Sequence, residues 1–260
     1  MDRYGIIGFP LGHSFSRAFF TEKFQKEHID AEYVNFEIPS AHLLPEIVRS
    51  NPHLRGLNVT LPYKEAVIPM LDSMSDEARE IGAVNVIQVR EGRLKGFNSD
   101  IIGFMGSLRP LLKPWHQHAL VLGTGGASRA IRVGLERLGL DWTYVSRTAA
   151  EGRLTYSALT PEVMEHFQVI VNCSPVGMFP KVEAAPVSAE VSFAFNASVD
   201  LIYNPAQTLF LKQAAEAGNK AVNGLFMLVA QAVAAQEIWQ GERYDSDLIV
   251  RIMSELEKRI

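Results

Sequence analysis

The sequence predicts a two-domain α/β protein with mostly parallel sheets, because short apolar runs alternate along the chain with longer amphipathic segments. Short apolar runs are typical of strands buried on both faces, and the amphipathic segments are typical of the helices that cover such sheets. A chain of 260 residues is long enough to form two cores. Lys113 and Pro114, which follow a predicted helix, indicate the boundary between the two domains.

The periodicity and the turn residues predict the individual elements in order. We predict strands at residues 4–9, 32–38, 56–60, 84–90, 94–97, 118–122, 142–146, 169–172, 199–202 and 220–222. We predict helices at residues 16–27, 42–49, 101–112, 127–138, 208–217, 225–239 and 246–260. Glu91 and Gly92 favour a hairpin between the fourth and fifth strands. Thr160 and Pro161 are typical of a helix start, where threonine caps and proline follows.

Composition and charge exclude several classes of protein. The 25 basic and 29 acidic side chains give a formal net charge of −4 with no basic stripe, so we expect no nucleic-acid partner. The single cysteine, Cys173, excludes an intrachain disulfide and a cysteine-based metal site, and we expect it to be a small buried hydrophobe. The longest apolar stretch, residues 224–235, is too short to span a bilayer. We therefore expect a cytoplasmic protein with no membrane partner and no metal.

The second half of the chain contains a buried strand followed by a glycine turn and a helix. Gly123 permits the tight turn, and Gly125 lets the backbone approach a pyrophosphate. The start of the helix then offers N–H groups and the positive end of its dipole. Ser128 stands where the usual pattern has its third glycine, but the strand–turn–helix context favours a Rossmann-type domain. We predict that a dinucleotide binds on Gly123, Thr124, Gly125, Gly126 and Ala127.

The next predicted strand indicates which dinucleotide is bound. An NAD site carries Asp or Glu at the end of this strand, where it binds the ribose 2′-hydroxyl. Here the strand ends in Ser146, Arg147 and Thr148, with no acidic residue. Arg147 can pair with a 2′-phosphate, and the two hydroxyl groups can donate hydrogen bonds to it. The alternative is a solvated surface arginine, and the position of Arg147 after the glycine loop favours NADP.

A second group of polar residues lies in the first half of the chain, in NVTLPYK at 58–64. Asn58 and Thr60 face the same side of a strand, and Pro62 ends that strand. Lys64 would then lie near the start of the next helix, where the positive end of the dipole lowers the pKa of a lysine. A lowered pKa suits general acid–base chemistry, and the alternative is a surface lysine.

Five further polar residues each have two interpretations. Asp100 comes just before a predicted helix and either caps it or is the carboxylate that positions the lysine. Asn85 is either a hydrogen-bonding group at a strand end or a substrate ligand. Ser14 and Ser16 either cap the next helix or bind an anion such as a carboxylate. Gln231, on an otherwise apolar helix face, bonds either to the backbone or to a ligand hydroxyl.

Together and in order, these motifs resemble the shikimate dehydrogenase family, and the likeness runs through nearly the whole chain. The motifs are PLGHSFS (10–16), NVTLPYK (58–64), GAVN (82–85), NSD (98–100), GTGGA (123–127), SRT (146–148), NCSPVGM (172–178), DLIYNP (200–205) and GLFML (224–228) followed by Gln231. The family usually has Asn where this chain has Ser146, and Thr where it has Ser99. Arg153 is the nearest second basic residue after Arg147.

The resemblance implies an NADP-dependent enzyme that reversibly reduces 3-dehydroshikimate to shikimate, a step of chorismate and aromatic amino-acid biosynthesis. It implies that Lys64 and Asp100 are catalytic. The implied substrate ligands are Ser14, Ser16, Asn58, Thr60, Asn85, Tyr203 and Gln231. The implied NADP contacts are the glycine loop from Gly123 to Ala127, Ser146, Arg147, Thr148, the backbone of Leu201 and Gly224, and Asp76.

The resemblance also implies how the domains divide the work. Residues 1–101, completed by the C-terminal helices at 225–260, are expected to bind the substrate. Residues 102–224 are expected to bind NADP. The last two helices return to the first domain in this scheme, because Gln231 must reach the substrate. A homodimer is a compatible assembly.

Three alternatives share part of this pattern. One is a quinate/shikimate dehydrogenase that uses NAD, and Arg147 with no strand-end acid argues against it. Another is methylenetetrahydrofolate dehydrogenase, in which Ser14 and Ser16 have no evident use. The third is a non-catalytic NADP-binding regulator of the same fold, and the presence of Lys64 and Asp100 argues against it.

Overall fold

The computed structural model describes residues 1–12, 15–192, 195–245 and 247–257. Contacts between residues divide the chain into two compact units. The first unit contains residues 1–99 and 232–243, and the second contains residues 100–231 and 244–260. The chain from residue 244 onward is thus grouped with the second unit, whereas we expected residues 225–260 to complete the first. The expected domain division stays a prediction.

The first unit is built on a six-stranded mixed sheet. Its elements are the strands β1 (Asp2–Gly8), β2 (Ala31–Glu37), β3 (Leu54–Val59), β4 (Ser73–Met74), β5 (Val86–Arg90) and β6 (Arg93–Phe97), and the helices α1 (Phe15–Lys26), α2 (Leu44–Ser50) and α3 (Asp76–Ile81). The strand order is β2-β1-β3-β5-β6-β4. β1 pairs in parallel with β2 and β3, and β5 pairs antiparallel with both β3 and β6, which confirms the predicted hairpin.

The second unit is built on a six-stranded sheet in which all the pairs are parallel. Its strands are β7 (His118–Leu122), β8 (Asp141–Ser146), β9 (Arg153–Thr155), β10 (Val169–Asn172), β11 (Ala197–Asp200) and β12 (Lys220–Val222). Its helices are α4 (Asp100–Leu108), α5 (Gly126–Arg137), α6 (Pro161–Met164), α7 (Ala189–Ser192), α8 (Leu209–Glu216) and α10 (Asp247–Glu257), and α9 (Leu225–Gln240) begins in it and ends in the first unit.

The strand order of the second sheet, β12-β11-β10-β7-β8-β9, is that of the Rossmann fold. The order reverses between β7 and β10, and ligands of such sheets bind beside the carboxyl ends of the strands at this switch point. The segments that follow β7 and β10 lie close together at this point. A Cβ added at Gly123 would lie 3.4 Å from the backbone of Cys173 and Ser174. The predicted α/β class is therefore confirmed. The glycine loop, which follows β7, lies at the switch point.

Several elements differ from those predicted, each for a local reason. The helix expected at 101–112 ends at Leu108 and continues as a 3-10 turn at Arg109–Leu111, since Pro110 has no N–H to donate. The helix expected at 42–49 begins with a 3-10 turn at Ala41–Leu43, and Ser40 caps it. The short elements β4, β9, α3 and α7 were not predicted, because they contain too few residues to establish a period.

The first turns of α9 pack against α4 within the second unit. A Cβ added at Gly103 would lie 2.6 Å from the carbonyl oxygen of Met227, and one added at Gly106 would lie 2.5 Å from the ring of Phe226. These two small residues let the helices approach closely. The close packing is the physical reason that the beginning of α9 belongs to the second unit.

The end of α9 packs on the sheet of the first unit through Trp239. Its indole N–H donates to the carbonyl of Ile87 at 3.1 Å, and its ring stacks at a tilt against Tyr4 with centroids 4.9 Å apart. Gly56 of β3 makes room for the ring. Trp239 is 5% exposed, so the last turns of α9 form part of the first core.

None of the helices in the described part of the chain is long and apolar enough to cross a bilayer.

We expect Gly56→Ala to destabilise the protein by about 1–3 kcal/mol, because the added Cβ must displace a large buried ring. The added atom would lie 2.2 Å from Cδ1 of Trp239. Urea-induced unfolding measures the free energy of unfolding. The same substitution in a Trp239→Leu background should cost less, since leucine leaves room. Equal costs in both backgrounds would show that this contact is not the cause.

Candidate active site

The glycine loop after β7 forms an open cradle at the start of α5. Gly123 has a φ of +98°, a left-handed conformation that favours glycine, and its N–H donates to the carbonyl of Val145 at 2.9 Å. Gly125 is the N-cap of α5, and no described side chain caps the helix. A Cβ added at Gly125 or Gly126 would meet nothing within 4 Å. The backbone at the start of α5 is therefore open around Gly125 and Gly126, which fits a dinucleotide pyrophosphate.

The end of β8, beside this cradle, carries the residues predicted to bind the 2′-phosphate. Arg147 and Thr148 are exposed, and the Ser146 hydroxyl donates to the carbonyl of Thr148. Ser146 lies opposite Thr155 of β9, so Tyr156 follows beside Arg147. Burial raises the pKa of the Tyr156 hydroxyl, and the positive charge of Arg147 opposes that rise. An exposed guanidinium at this strand end is able to pair with a phosphate.

The end of β11 carries a buried carboxylate to which the sequence analysis assigned no role. Oδ1 of Asp200 accepts hydrogen bonds from Nδ2 of Asn172 and from the N–H of Ile202, both at 3.0 Å. Oδ2 accepts from the Thr208 hydroxyl at 2.6 Å. Burial raises the pKa of Asp200 to about 6, and the three hydrogen bonds oppose the rise. The available signal was that Asn172 and Asp200 each end an apolar strand with a polar residue.

Leu201 and Gly224, the predicted backbone contacts of the nicotinamide, lie against each other. The N–H of Gly224 donates to the carbonyl of Ile202 at 3.0 Å. A Cβ added at Gly224 would lie 2.1 Å from the carbonyl oxygen of Leu201, so a larger residue does not fit there. The N–H of Leu201 donates to the carbonyl of Asn172 at 3.0 Å, which holds the segment on its other side.

Tyr203 and Gln231, both predicted substrate ligands, belong to the second unit. Tyr203 lies in the segment after β11, and burial raises the pKa of its hydroxyl. Gln231 lies on α9, where Nε2 donates to the carbonyl of Leu228 in the same helix at 2.8 Å. Gln231 therefore has the backbone bond that one interpretation expects, and its role as a substrate ligand stays a prediction.

In the first unit, a tyrosine joins two of the predicted substrate ligands. The Tyr33 hydroxyl donates to Oδ1 of Asn58 at 2.7 Å, and the Ser16 side chain hydrogen-bonds to the same hydroxyl. Burial raises the pKa of Tyr33, and the bond from Ser16 opposes the rise. Tyr33 was not among the predicted residues, because nothing local in the sequence indicates that it bonds Asn58. Ser14 lies outside the described residues, so its predicted role stays a prediction.

Asn85 joins two further motifs at the same edge of the first sheet. Its Nδ2 donates to Oγ of Ser99 at 3.0 Å, and its Oδ1 accepts from the N–H of Ser99 at 2.7 Å. Nδ2 of Asn98 donates to the carbonyl of Ala83 at 2.9 Å. Since β5 runs antiparallel to β3 and β6, its start lies at the edge where those strands end. Asn85 and Asn58 therefore lie at one edge.

Thr60 lies directly after β3 and beside the end of β1. Its N–H donates to the carbonyl of Ile7 at 3.0 Å. A Cβ added at Gly8 would lie 2.5 Å from Cγ2 of Thr60, so the two segments are in close contact. Thr60 is half-buried at the same edge as Asn58 and Asn85.

The segment around Lys64 is not the α-helix that we predicted. Residues 64–67 form turns, and only a 3-10 turn follows at Ile68–Met70. Pro69 has no N–H to donate to a carbonyl four residues earlier, so an α-helix cannot run through it. Lys64 therefore does not lie at the start of an α-helix, and the prediction that a helix dipole acts on it was wrong. Lys64 is half-buried, and its carbonyl accepts a hydrogen bond from the N–H of Val84 at 2.7 Å.

The two aspartates with predicted roles both begin helices. Asp100 is the first residue of α4, is 6% exposed and belongs to the second unit, and its predicted pairing with Lys64 stays a prediction. Asp76 is the first residue of α3, where an acidic side chain stabilises the helix dipole. Its carboxylate is 99% exposed and pairs with Arg79 at 2.6 Å. Its predicted contact with the cofactor stays a prediction.

No group of three or more His, Cys, Asp or Glu side chains in the described residues is placed to hold a metal ion. Cys173 is half-buried beside the end of β10. Burial raises the pKa of its thiol, and the charge of Asp200 raises it further, so the thiol stays protonated.

Comparison with known proteins identifies the family. Residues 6–87 match the family model described as the shikimate dehydrogenase substrate binding domain. The chain is 38% identical to the shikimate dehydrogenase (NADP(+)) of Caldanaerobacter subterraneus subsp. tengcongensis, over 95% of this chain and 94% of that protein.

Solved structures agree with the sequence comparison. A chorismate mutase/shikimate 5-dehydrogenase fusion protein from Clostridium acetobutylicum is 38% identical, with a TM-score of 0.90 over 100% of this chain and 98% of that one. The shikimate 5-dehydrogenase of Thermus thermophilus, in complex with NADP(H) and shikimate, is 33% identical, with a TM-score of 0.83 over 98% of this chain and 99% of that one. The chain belongs to the shikimate dehydrogenase family.

Proposed function

We propose that this chain is an enzyme that interconverts shikimate and 3-dehydroshikimate with NADP as its cofactor. The observation that carries the proposal is that one chain combines an open glycine cradle with a sheet edge rich in uncharged hydrogen-bonding groups. The cradle suits a pyrophosphate, and the amide and hydroxyl groups suit a ring that carries several hydroxyls. Relatives that are named for shikimate and NADP(+) support the same substrate and cofactor here.

The residues of the chain must hold the substrate and move one proton, while bound NADP accepts or returns the hydride. Lys64 is proposed to take the proton of the reacting hydroxyl during oxidation and to return it during reduction. Asp100 is proposed to orient Lys64. The same lysine stabilises the charge that develops on oxygen, and it does so more in the transition state than in the ground state.

The remaining substrate ligands divide by the chemistry of the group they would hold. Ser14 and Ser16 are proposed to hold the carboxylate, and Tyr33 supports this subsite by joining Ser16 to Asn58. The ring and its hydroxyls are proposed to be held by Asn58, Thr60, Asn85, Tyr203 and Gln231. The Asn85 amide is pre-organised for this, since its bonds to the hydroxyl and the N–H of Ser99 fix its orientation.

On the cofactor side, the proposal assigns residues to each part of NADP. The first turn of α5 faces the pyrophosphate, and Arg147, with Ser146 and Thr148, holds the 2′-phosphate. The backbone at Leu201 and Gly224 flanks the nicotinamide, and Asp76 lies near the cofactor. We further propose that the protein acts in aromatic amino-acid biosynthesis, that it is cytoplasmic and that it forms a homodimer.

The purified protein is expected to reduce NADP in the presence of shikimate, and absorbance at the reduced-nicotinamide band measures the rate. Shikimate with NAD, and quinate with either cofactor, should react more slowly. Turnover of quinate with NAD that equals turnover of shikimate with NADP would favour the quinate/shikimate alternative. Binding of NADP without turnover of either substrate would favour a non-catalytic regulator.

We expect Lys64→Ala to lower kcat by about 10²–10⁴-fold, the usual contribution of a positioned acid–base group. Affinity for NADP should remain, because the cradle at α5 is built from other residues. Steady-state kinetics and cofactor titration measure the two effects. Lys26→Ala is the matched control, since Lys26 lies on the surface of α1 in an ion pair with Glu22 at 3.1 Å. Undiminished shikimate oxidation by the Lys64 variant would refute the assignment.

We expect Arg147→Ala to raise the KM for NADP by about 10–100-fold, because a charge-assisted hydrogen bond to the 2′-phosphate is lost. The KM for NAD should stay the same, since NAD has no such phosphate. Arg153→Ala is the matched control, because Arg153 is an exposed arginine on the adjacent strand. An equal loss with both cofactors would mean that Arg147 does not read the phosphate.

A further inference from the structure

The carboxylate of Asp200 is a buried group in the second unit with both oxygens hydrogen-bonded. Asp200 is 0% exposed, and its two oxygens accept three hydrogen bonds, from Asn172, Ile202 and Thr208. These donors come from three different segments: the end of β10, the turn after β11 and the N-cap of α8. One side chain therefore fixes three segments at the carboxyl edge of the sheet.

The network extends to the turn after β10. Oδ1 of Asn172 accepts from the N–H of Ser174 at 3.0 Å and from its hydroxyl at 2.7 Å. Nδ2 of Asn172 is held by Asp200, so the amide cannot rotate without breaking both sets of bonds. A Cβ added at Gly123 would lie 3.4 Å from the N atom of Ser174, so this turn borders the glycine loop.

The network also holds the Leu201 peptide on three sides. The N–H of Leu201 donates to the carbonyl of Asn172, and the N–H of Ile202 donates to Asp200. The carbonyl of Leu201 lies against Gly224, where a Cβ would be 2.1 Å away. This backbone is not free to shift unless Asp200 or Gly224 moves as well.

A buried carboxylate is a costly way to hold a turn. An ionised group loses its hydration on burial, which costs more free energy than the burial of a neutral polar group. An asparagine could make bonds of similar geometry at lower cost. Charge-assisted hydrogen bonds, however, are about twice as strong as neutral ones, so the carboxylate fixes its donors more tightly. Aspartate at position 200 therefore holds the turn more rigidly than asparagine would, but it gives a less stable protein.

We propose that Asp200 is a positioning residue that fixes the Leu201 backbone and the turn after β10 for the nicotinamide half of NADP. This inference rests on the proposed function, in which the backbone at Leu201 flanks the nicotinamide. Asp200 does not touch the reacting atoms; it acts through the peptides that it holds. Loss of the network should therefore impair hydride transfer but not binding of the adenosine half.

The first test removes the shortest bond of the network. Thr208→Val keeps the shape of the side chain but removes the hydroxyl that donates to Asp200 and caps α8. We expect kcat with NADP and shikimate to fall about tenfold, the scale of a small misplacement of reacting groups. Affinity for adenosine 2′,5′-bisphosphate, which has the 2′-phosphate but no nicotinamide, should stay within about twofold by calorimetry. Thr208→Ser should restore kcat.

Thr160→Val is the matched control for the loss of a threonine cap. Thr160 caps α6 in the same unit through the N–H of Val163, and none of the bonds of Asp200 involves it. This variant should keep both kcat and the affinity for the bisphosphate. An unchanged kcat in Thr208→Val, or a parallel fall of kcat and bisphosphate affinity, would overturn the proposal. An unmutated protein without turnover would instead refute the proposed function.

A second variant, Asp200→Asn, separates positioning from stability. Because folding raises the pKa of Asp200, the folded state binds a proton more tightly than the unfolded state does. The stability that comes from this proton is fully present below the unfolded pKa of 3.8 and is lost as pH rises through about 6. The neighbouring titratable group is the Cys173 thiol, which stays protonated. The variant should therefore gain unfolding midpoint relative to the unmutated protein between pH 5 and pH 8, yet have a lower kcat at pH 8. A kcat equal to that of the unmutated protein, or a parallel loss of the unfolding midpoint and of kcat at pH 8, would contradict the inference.

Discussion

The backbone pairing of β1, β3 and β5 is the constraint on which the polar edge of the first sheet depends. The N–H of Thr60 donates to Ile7, and the N–H of Val59 donates to Asn85 at 2.8 Å. Because β5 runs antiparallel to β3, its start returns to the edge where β1 and β3 end. Polar residues from separate motifs therefore gather at one edge, and a slip of one residue in register would turn Asn58 to the other face.

Two close approaches allow α9 to contribute to both cores. In the second unit, the start of the helix packs against Gly103, and in the first unit Trp239 occupies the space beside Gly56. Each contact requires a residue without a Cβ. A third approach, that of Gly224 to Leu201, brings the chain just before α9 against the end of β11. Glycine residues thus make room for both ends of α9 to pack closely against their neighbours.

The two sheets carry different electrostatics at the ends of their strands. At the edge of the first sheet, Tyr33 with Asn58, and Asn85 with Ser99, form hydrogen-bonded pairs without charge. The carboxyl edge of the second sheet contains the buried Asp200, whose pKa is raised to about 6 because burial outweighs three hydrogen bonds. Neutral groups suit a ligand of many hydroxyls, while a buried charge holds its donors more rigidly than an amide would.

The sequence by itself determined the fold class, the predicted strands and the glycine loop, because apolar period, turn residues and the Gly123 motif are local signals. It also marked Asn58, Asn85 and Arg147 as polar residues at strand ends. Only the tertiary structure decided that Tyr33 bonds Asn58, 25 residues away, and that Asn172 bonds Asp200, 28 residues away. Such partners depend on which strands are neighbours in a sheet. The α-helix expected at Lys64 does not form, because Pro69 interrupts it, so only the tertiary structure decides the surroundings of that lysine.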